Sequence, residues 1–279
     1  MGEPFIGSAA LAAGRLTPYQ LRSRFVALHR DVYLPAGFQP TAAIRASSAW
    51  LWTGRQGVVA GQSAAALHGA KWIPDDAPAQ LLYGNRRPPR GIETWSDRFA
   101  DDEVEMVRGV LVTTPARTAL DIACRDPFDH AVAAIDALAR ATKLKALEVE
   151  LLAERYPGRR GIRAVANVLD HVDPGAESPQ ETRVRLLLIR AGFPRPETQI
   201  PVYDEYGQLV AEIDMGWRDL LVGVDYEGAH HRKSRRQLDK DIRRHDAVTE
   251  LRWIDVRVTA EDTDGSIIGR VSRARARRT

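Results

Sequence analysis

Between Ala211 and His231 the chain reads AEIDMGWRDLLVGVDYEGAHH, and no other stretch constrains its fold so tightly. The apolar run suits the interior of a sheet, yet Asp214, Asp225 and Glu227 stand in or beside it. Side chains alternate along a strand, so Asp225 and Glu227 project from one face while Val222, Val224 and Tyr226 point the other way. If Leu209 to Asp214 pairs with Asp219 to Glu227 across the short MGWR connection, Asp214 lies near the same spot and three carboxylates converge. Unpaired carboxylates about 4 Å apart repel by roughly 4 kcal/mol at an effective dielectric near 20, so the cluster needs a proton, a basic side chain or a cation. Hard, oxygen-preferring Mg2+ or Mn2+ meets that need, and such an ion activates water and stabilises charge on a phosphodiester. Asp214, Asp225 and Glu227 are therefore the candidate metal ligands.

Neighbouring residues extend the candidate site. Val184, Leu187, Leu188 and Ala191 define the buried stripe of a helix, and Glu181, one turn before Val184, lies on the same side. Ser178-Pro179-Gln180-Glu181 also reads as a capping box, with Glu181 returning to the start of its own helix. His230 and His231 follow Gly228 where the strand should end, and His231 is the candidate proton-transfer group. Beyond them come Arg232, Lys233, Arg235, Arg236, Arg243 and Arg244, candidate contacts to nucleic-acid phosphates, with Asp246 on the same helix. The competing reading of these charges is an ordinary solvated helix face.

A chain of 279 residues suits two domains, and 44% hydrophobic with 28% charged residues is ordinary for a globular protein. No apolar run approaches the roughly 20 residues of a membrane helix, and no secretion signal opens the chain, so a cytoplasmic protein without membrane contact is expected. Cys124 is the single cysteine, which excludes an internal disulfide and a cysteine-based zinc cluster; a buried, inert thiol is expected. The net charge of +3 is mild, but HHRKSRR, DIRRH and RVSRARARR concentrate arginine in the last fifth, the footprint of a protein that meets a polyanion.

Along the chain, LTPYQLRSR starts a helix with Thr17 as N-cap and Pro18 in the first turn. FVALHRDVYLPAG then reads as a short alternating stretch that turns at Pro35 to Gly37, a hairpin or wing, so residues 1–60 have the outline of a winged helix. Helices are expected at TAAIRASSAWLWTG and GQSAAALHGA, His68 in the latter being a packed, hydrogen-bonded histidine. AQLLYGN and EMVRGVLVTT read as strands, and TTPARTALDIA and FDHAVAAIDALARAT as helices, making 61–172 an α/β and helical middle region. A turn-rich stretch from Asp173 to Pro179 marks the boundary of a third region, 173–279, ordered helix, hairpin, buried strand, helix (about Ser234 to Glu250), strand. The fold class is α/β, with an α/β sandwich and a mixed sheet at the C-terminal end.

From Ser178 to Asp262 the ordered set SPQETRVRLLLIRAGFPRPETQ, EID, VDYEGAHH, DKDIRRHD and LRWIDVRVT resembles the PD-(D/E)XK nuclease superfamily, within it the branch like the very-short-patch repair (Vsr) endonuclease. That resemblance implies a restriction-endonuclease-like domain with Glu181 as the helix acid, Asp214 as the metal aspartate, Asp225 and Glu227 as third-motif acids and His231 as the trailing histidine. The family's third-motif lysine is missing; Glu227 stands in its place. LHRDVYLPAG, AGQSAAALHGA and VLVTTPARTALDIA resemble the abortive-infection type IV antitoxins, which implies a DNA-binding winged helix followed by an α/β segment. Two functions follow as expectations: a Mg2+-dependent endonuclease of defence or repair, or a non-enzymatic antitoxin-like DNA-binding regulator with a degenerate nuclease fold. DNA is the expected partner under both, with a toxin or repair factor as a further protein partner.

Overall fold

The computed structural model describes residues 2–85, 87–228, 246 and 248–278. The chain divides into two compact units, Met1–Pro174 and Gly175–Thr279. Each is a mixture of helices and sheets, and no helix among the described residues is long and apolar enough to cross a membrane.

The first unit opens with β1 (Phe5–Ile6), α1 (Gly7–Ala12), α2 (Pro18–Arg24), β2 (Phe25–His29) and β3 (Val32–Pro35), whose strands form an antiparallel sheet in the order β1-β3-β2. The β2–β3 turn is fixed by Asp31, whose left-handed φ of 61° is a conformation that aspartate tolerates better than most residues. Its carboxylate accepts the Ser8 amide at 2.8 Å and its carbonyl accepts the Gly7 amide at 2.9 Å. Asp31 thereby caps α1, whose own N-cap, Ile6, has no side-chain acceptor. Phe5 packs edge-on against Phe25 and stacks on Tyr33, with ring centroids 5.0 and 6.1 Å apart. α3 (Ala42–Trp52) starts at the Thr41 cap and contacts all three strands. Its fully buried Ala46 and Ala49 also join a core containing Val59, Ala64, Leu67 and Leu81.

That core belongs to a five-stranded mixed sheet of β4 (Val58–Val59), β5 (Ala79–Leu82), β6 (Ile92–Trp95), β7 (Val104–Val107) and β8 (Val110–Thr113), ordered β6-β5-β4-β8-β7. EMVRGVLVTT is not one strand but the β7–β8 hairpin. Arg108 and Gly109 both have positive φ, 50° and 76°, the backbone of a two-residue turn whose twist matches its strands. His68 at the end of α4 (Gly61–Leu67) is hydrogen-bonded through Nε2 to the Thr113 carbonyl at 2.7 Å. α5 (Pro115–Arg125), α6 (Phe128–Thr142), α7 (Ala146–Ala153) and α8 (Ile162–His171) complete the unit.

Arg117, from TTPARTALDIA, is fully buried in α5. Its Nε donates to Asp121 at 2.9 Å, and its Nη1 donates to Glu103 and to the Arg98 carbonyl. Burial, the largest single influence, lowers the pKa of this guanidinium, but Asp121 and Glu103 together raise it above its ordinary value. Cys124 is half-buried, and burial pushes its thiol up, keeping it protonated at neutral pH.

The second unit runs α9 (Pro179–Arg190), β9 (Glu197–Tyr203), β10 (Leu209–Trp217), β11 (Val222–Glu227), β12 (Ile254–Thr259) and α10 (Asp264–Ala276). The sheet order is β12-β11-β10-β9; β9, β10 and β11 are antiparallel neighbours and β12 is parallel to β11. Val184 and Leu188 of α9, Val222, Val224, Val256 and Val258 of the sheet, and Ile267 and Val271 of α10 share one apolar core. The β10–β11 connection differs from the expected MGWR: β10 continues through Trp217, and the turn is made at 218–221. Met215 and Trp217 are buried in the core, so ending the strand before them would expose both. Gly216 makes the extension sterically allowed, since a Cβ there would come within 2.3 Å of the Val222 carbonyl oxygen.

Candidate nucleic-acid interface

α2 begins where Thr17 and Gln20 cap each other: the Gln20 amide donates to Thr17 Oγ1 at 3.2 Å and the Thr17 amide donates to Gln20 Oε1 at 2.8 Å. Leu21 is the buried anchor of this helix. Tyr19, Arg22, Ser23 and Arg24 are exposed, Tyr19 at 74%. The seven-residue helix is about 10 Å long. This face carries two cationic groups, Arg22 and Arg24, and the hydroxyls of Tyr19 and Ser23. The hairpin tip at Arg30 and Asp31, tied to α1, follows in sequence. None of these side chains was singled out from the sequence. The available signal was PYQLRSR itself, a capped helix with one aliphatic residue, which a core helix cannot be.

In the second unit the structure brings Asp214 and Asp225 together at a fork. β10 and β11 pair from Trp217↔Val222 to Met215↔Val224; beyond that point β10 pairs with β9 and β11 with β12. The aspartates sit at the split, each binding the other strand's backbone. The Asp214 amide donates to Asp225 Oδ1 at 2.8 Å, and the Tyr226 amide donates to Asp214 Oδ2 at 2.7 Å. Glu227 Oε1 accepts from Arg257 Nη1 at 2.9 Å, and Arg257 Nε donates to Asp255 at 3.2 Å. Partial burial lowers the Arg257 pKa, but Asp255, Glu227 and Asp225 together raise it more. The expected mutual repulsion is thus relieved by two amides and a guanidinium. Among the described residues no group of three His, Cys, Asp or Glu is placed to hold a metal ion.

Glu181 is occupied at its own helix start. Ser178 Oγ donates to its Oε1 and the Glu177 amide to its Oε2, both at 2.8 Å, while the Glu181 amide donates to Ser178 Oγ at 3.2 Å. This is the capping arrangement, shifted so that the returning bond reaches the residue before the N-cap. His231, Arg232, Lys233, Arg235, Arg236, Arg243 and Arg244 lie outside the described residues.

Comparison with known proteins finds a likeness over part of the first unit. Residues 57–171 match the family model described as the AbiEi antitoxin C-terminal domain. The match opens at β4 and closes at the end of α8, so it spans the five-stranded sheet and its helices and ends before the second unit begins. Two relatives from Mycobacterium tuberculosis are Uncharacterized protein MT2308 of strain CDC 1551 / Oshkosh and Uncharacterized protein Rv2248 of strain ATCC 25618 / H37Rv. Each is 29% identical over 242 residues, covering 85% of this chain and 88% of the relative. No solved structure matches.

Proposed function

We propose that this chain is a DNA-binding regulator of the antitoxin type, which reads duplex DNA with α2 and the β2–β3 hairpin in the manner of a winged helix. The observation that carries this reading is the antitoxin-domain match over 57–171, preceded in the same compact unit by a capped helix whose outer face is Tyr19, Arg22, Ser23 and Arg24. The order strand, helix, helix, hairpin, with β3 central in its sheet, supports it. In this reading the second unit is a restriction-endonuclease-like fold kept for binding and scaffolding. The engagement of Asp214, Asp225 and Glu227 by backbone amides and Arg257 favours that role over phosphodiester hydrolysis. A toxin is the protein partner such a regulator would take.

The test is a mobility-shift titration of the full chain against duplex DNA at low salt, with a parallel incubation in Mn2+ to detect nicking. The expected result is a shifted, intact duplex, with affinity falling steeply as salt rises. An unshifted duplex at low salt overturns the reading. Cleavage that the Asp214→Ala variant loses returns the acids to a catalytic role.

A further inference from the structure

We infer that the groove between β12 and α10 is a second, sequence-independent contact for the phosphate backbone of duplex DNA, an inference that rests on the DNA-binding reading above. Asp255 and Arg257 of β12 line one side of this groove and Arg270, Arg273 and Arg277 the other, enclosing about 360 Å³. β12 is an edge strand among the described residues, so nothing in the sheet flanks it there.

The arginines of α10 and its continuation divide by what they touch. Arg270 donates to the Arg257 carbonyl at 2.6 Å and pairs with Asp262 at 2.6 Å. Arg275 lies over the Trp217 ring, 4.6 Å from its centroid, and Arg278 donates to the Arg252 carbonyl. These three hold α10 to the sheet. Arg273 and Arg277 are exposed, and neither has a carboxylate partner among the described residues. Exposure by itself is ordinary for arginine; position is what marks this pair. Steps of three and four residues put Arg270, Arg273 and Arg277 on one helix face. The four residues from Arg273 to Arg277, at 1.5 Å each, span about 6 Å, the rise of about two base steps along one DNA strand. Across the groove, Arg257 is shared by Asp255 and Glu227 and Arg270 is paired with Asp262, so Arg273 and Arg277 are the groove cations not engaged by a carboxylate among the described residues.

The experiment compares the full chain with its Arg273→Gln, Arg277→Gln double variant, titrating two fluorescein-labelled duplexes of unrelated sequence over a KCl series. Both side chains are exposed, so the variant should melt with the wild type. Each lost phosphate contact lowers the slope of log K against log [KCl] by about 0.9, so the expected slope is shallower by about 1.8 on both duplexes. Wild-type binding with an unchanged slope in the variant overturns this inference and leaves the proposed function standing. A change confined to one duplex overturns its sequence-independent character. Failure of the wild type to bind at low salt overturns both readings.

Discussion

Removing the Asp225 carboxylate distinguishes a hydrogen-bonded lock from an acid cluster waiting for a cation. Asp225 is 5% exposed and accepts the Asp214 amide. In Asp225→Ala that amide is left unsatisfied, a loss of about 1–3 kcal/mol in urea unfolding without metal. Repelling carboxylates would give the opposite sign, with the alanine variant more stable than wild type. Arg117→Leu should cost about 3 kcal/mol, because it removes the fully buried partner that Glu103 and Asp121 share and leaves Asp121 to Arg159 and Glu103 to the Tyr156 hydroxyl; a loss below about 1 kcal/mol would contradict the described network. Asp126 supplies a pH test. Burial raises its carboxyl above the ordinary 3.8, only partly opposed by the bond from Gln62 Nε2 at 2.7 Å. Below that value both folded and unfolded states are protonated and burial costs nothing. As pH rises through it the unfolded state ionises first, so stability falls until the folded pKa is passed. Asp126→Asn should therefore match wild type in strong acid and exceed it at pH 7; a less stable variant at pH 7 would reverse the assignment. The adjacency of Asp214 and Asp225 was expected from the pairing of Leu209 to Asp214 with Asp219 to Glu227, although the connection between the two strands falls at 218–221 rather than at MGWR. Their donors were not expected, because those depend on where the strands diverge and on Arg257, far along the chain.

Among elements, α2 was the most legible, since Thr17, Pro18 and Gln20 announce its start. Thr17→Ala should cost about 1 kcal/mol through the lost cap and weaken DNA binding by fraying the helix, measured by thermal unfolding and mobility shift on the same samples. Unchanged DNA affinity in a measurably destabilised variant would detach α2 from recognition. The β2–β3 hairpin was legible from alternation, but its turn was expected at Pro35 to Gly37 and falls at Arg30 and Asp31, with Pro35 closing β3; nor was Asp31 capping α1 legible, because it joins positions distant in sequence. The β7–β8 hairpin was read as one strand because Val104 to Thr113 is apolar nearly throughout. Arg108-Gly109 was the only punctuation, and arginine is an uncommon residue at positive φ. β4 is two residues long and carries too little pattern to stand out; only its place between β5 and β8 makes it a strand.

For the whole molecule, the turn-rich stretch at 173–179 was the clearest organisational mark, and the two compact units meet in sequence at Pro174 and Gly175. The spans 1–60 and 61–172 lie together in the first unit, through α3, whose Ala46 and Ala49 are shared with the core of the five-stranded sheet. Small residues give a weak periodic signal, so that role is set by packing and hard to read from sequence. The proposed function follows the same division: the antitoxin-domain match and the α2 face belong to one unit, the acid fork and the arginine groove to the other. Selection from a randomised duplex pool by the full chain and by its Tyr19→Ala, Arg22→Ala variant tests the central claim most directly. Recognition through α2 requires the wild type to enrich one short motif and the equally stable variant to retain DNA without enriching any. The same motif recovered by both proteins would contradict it.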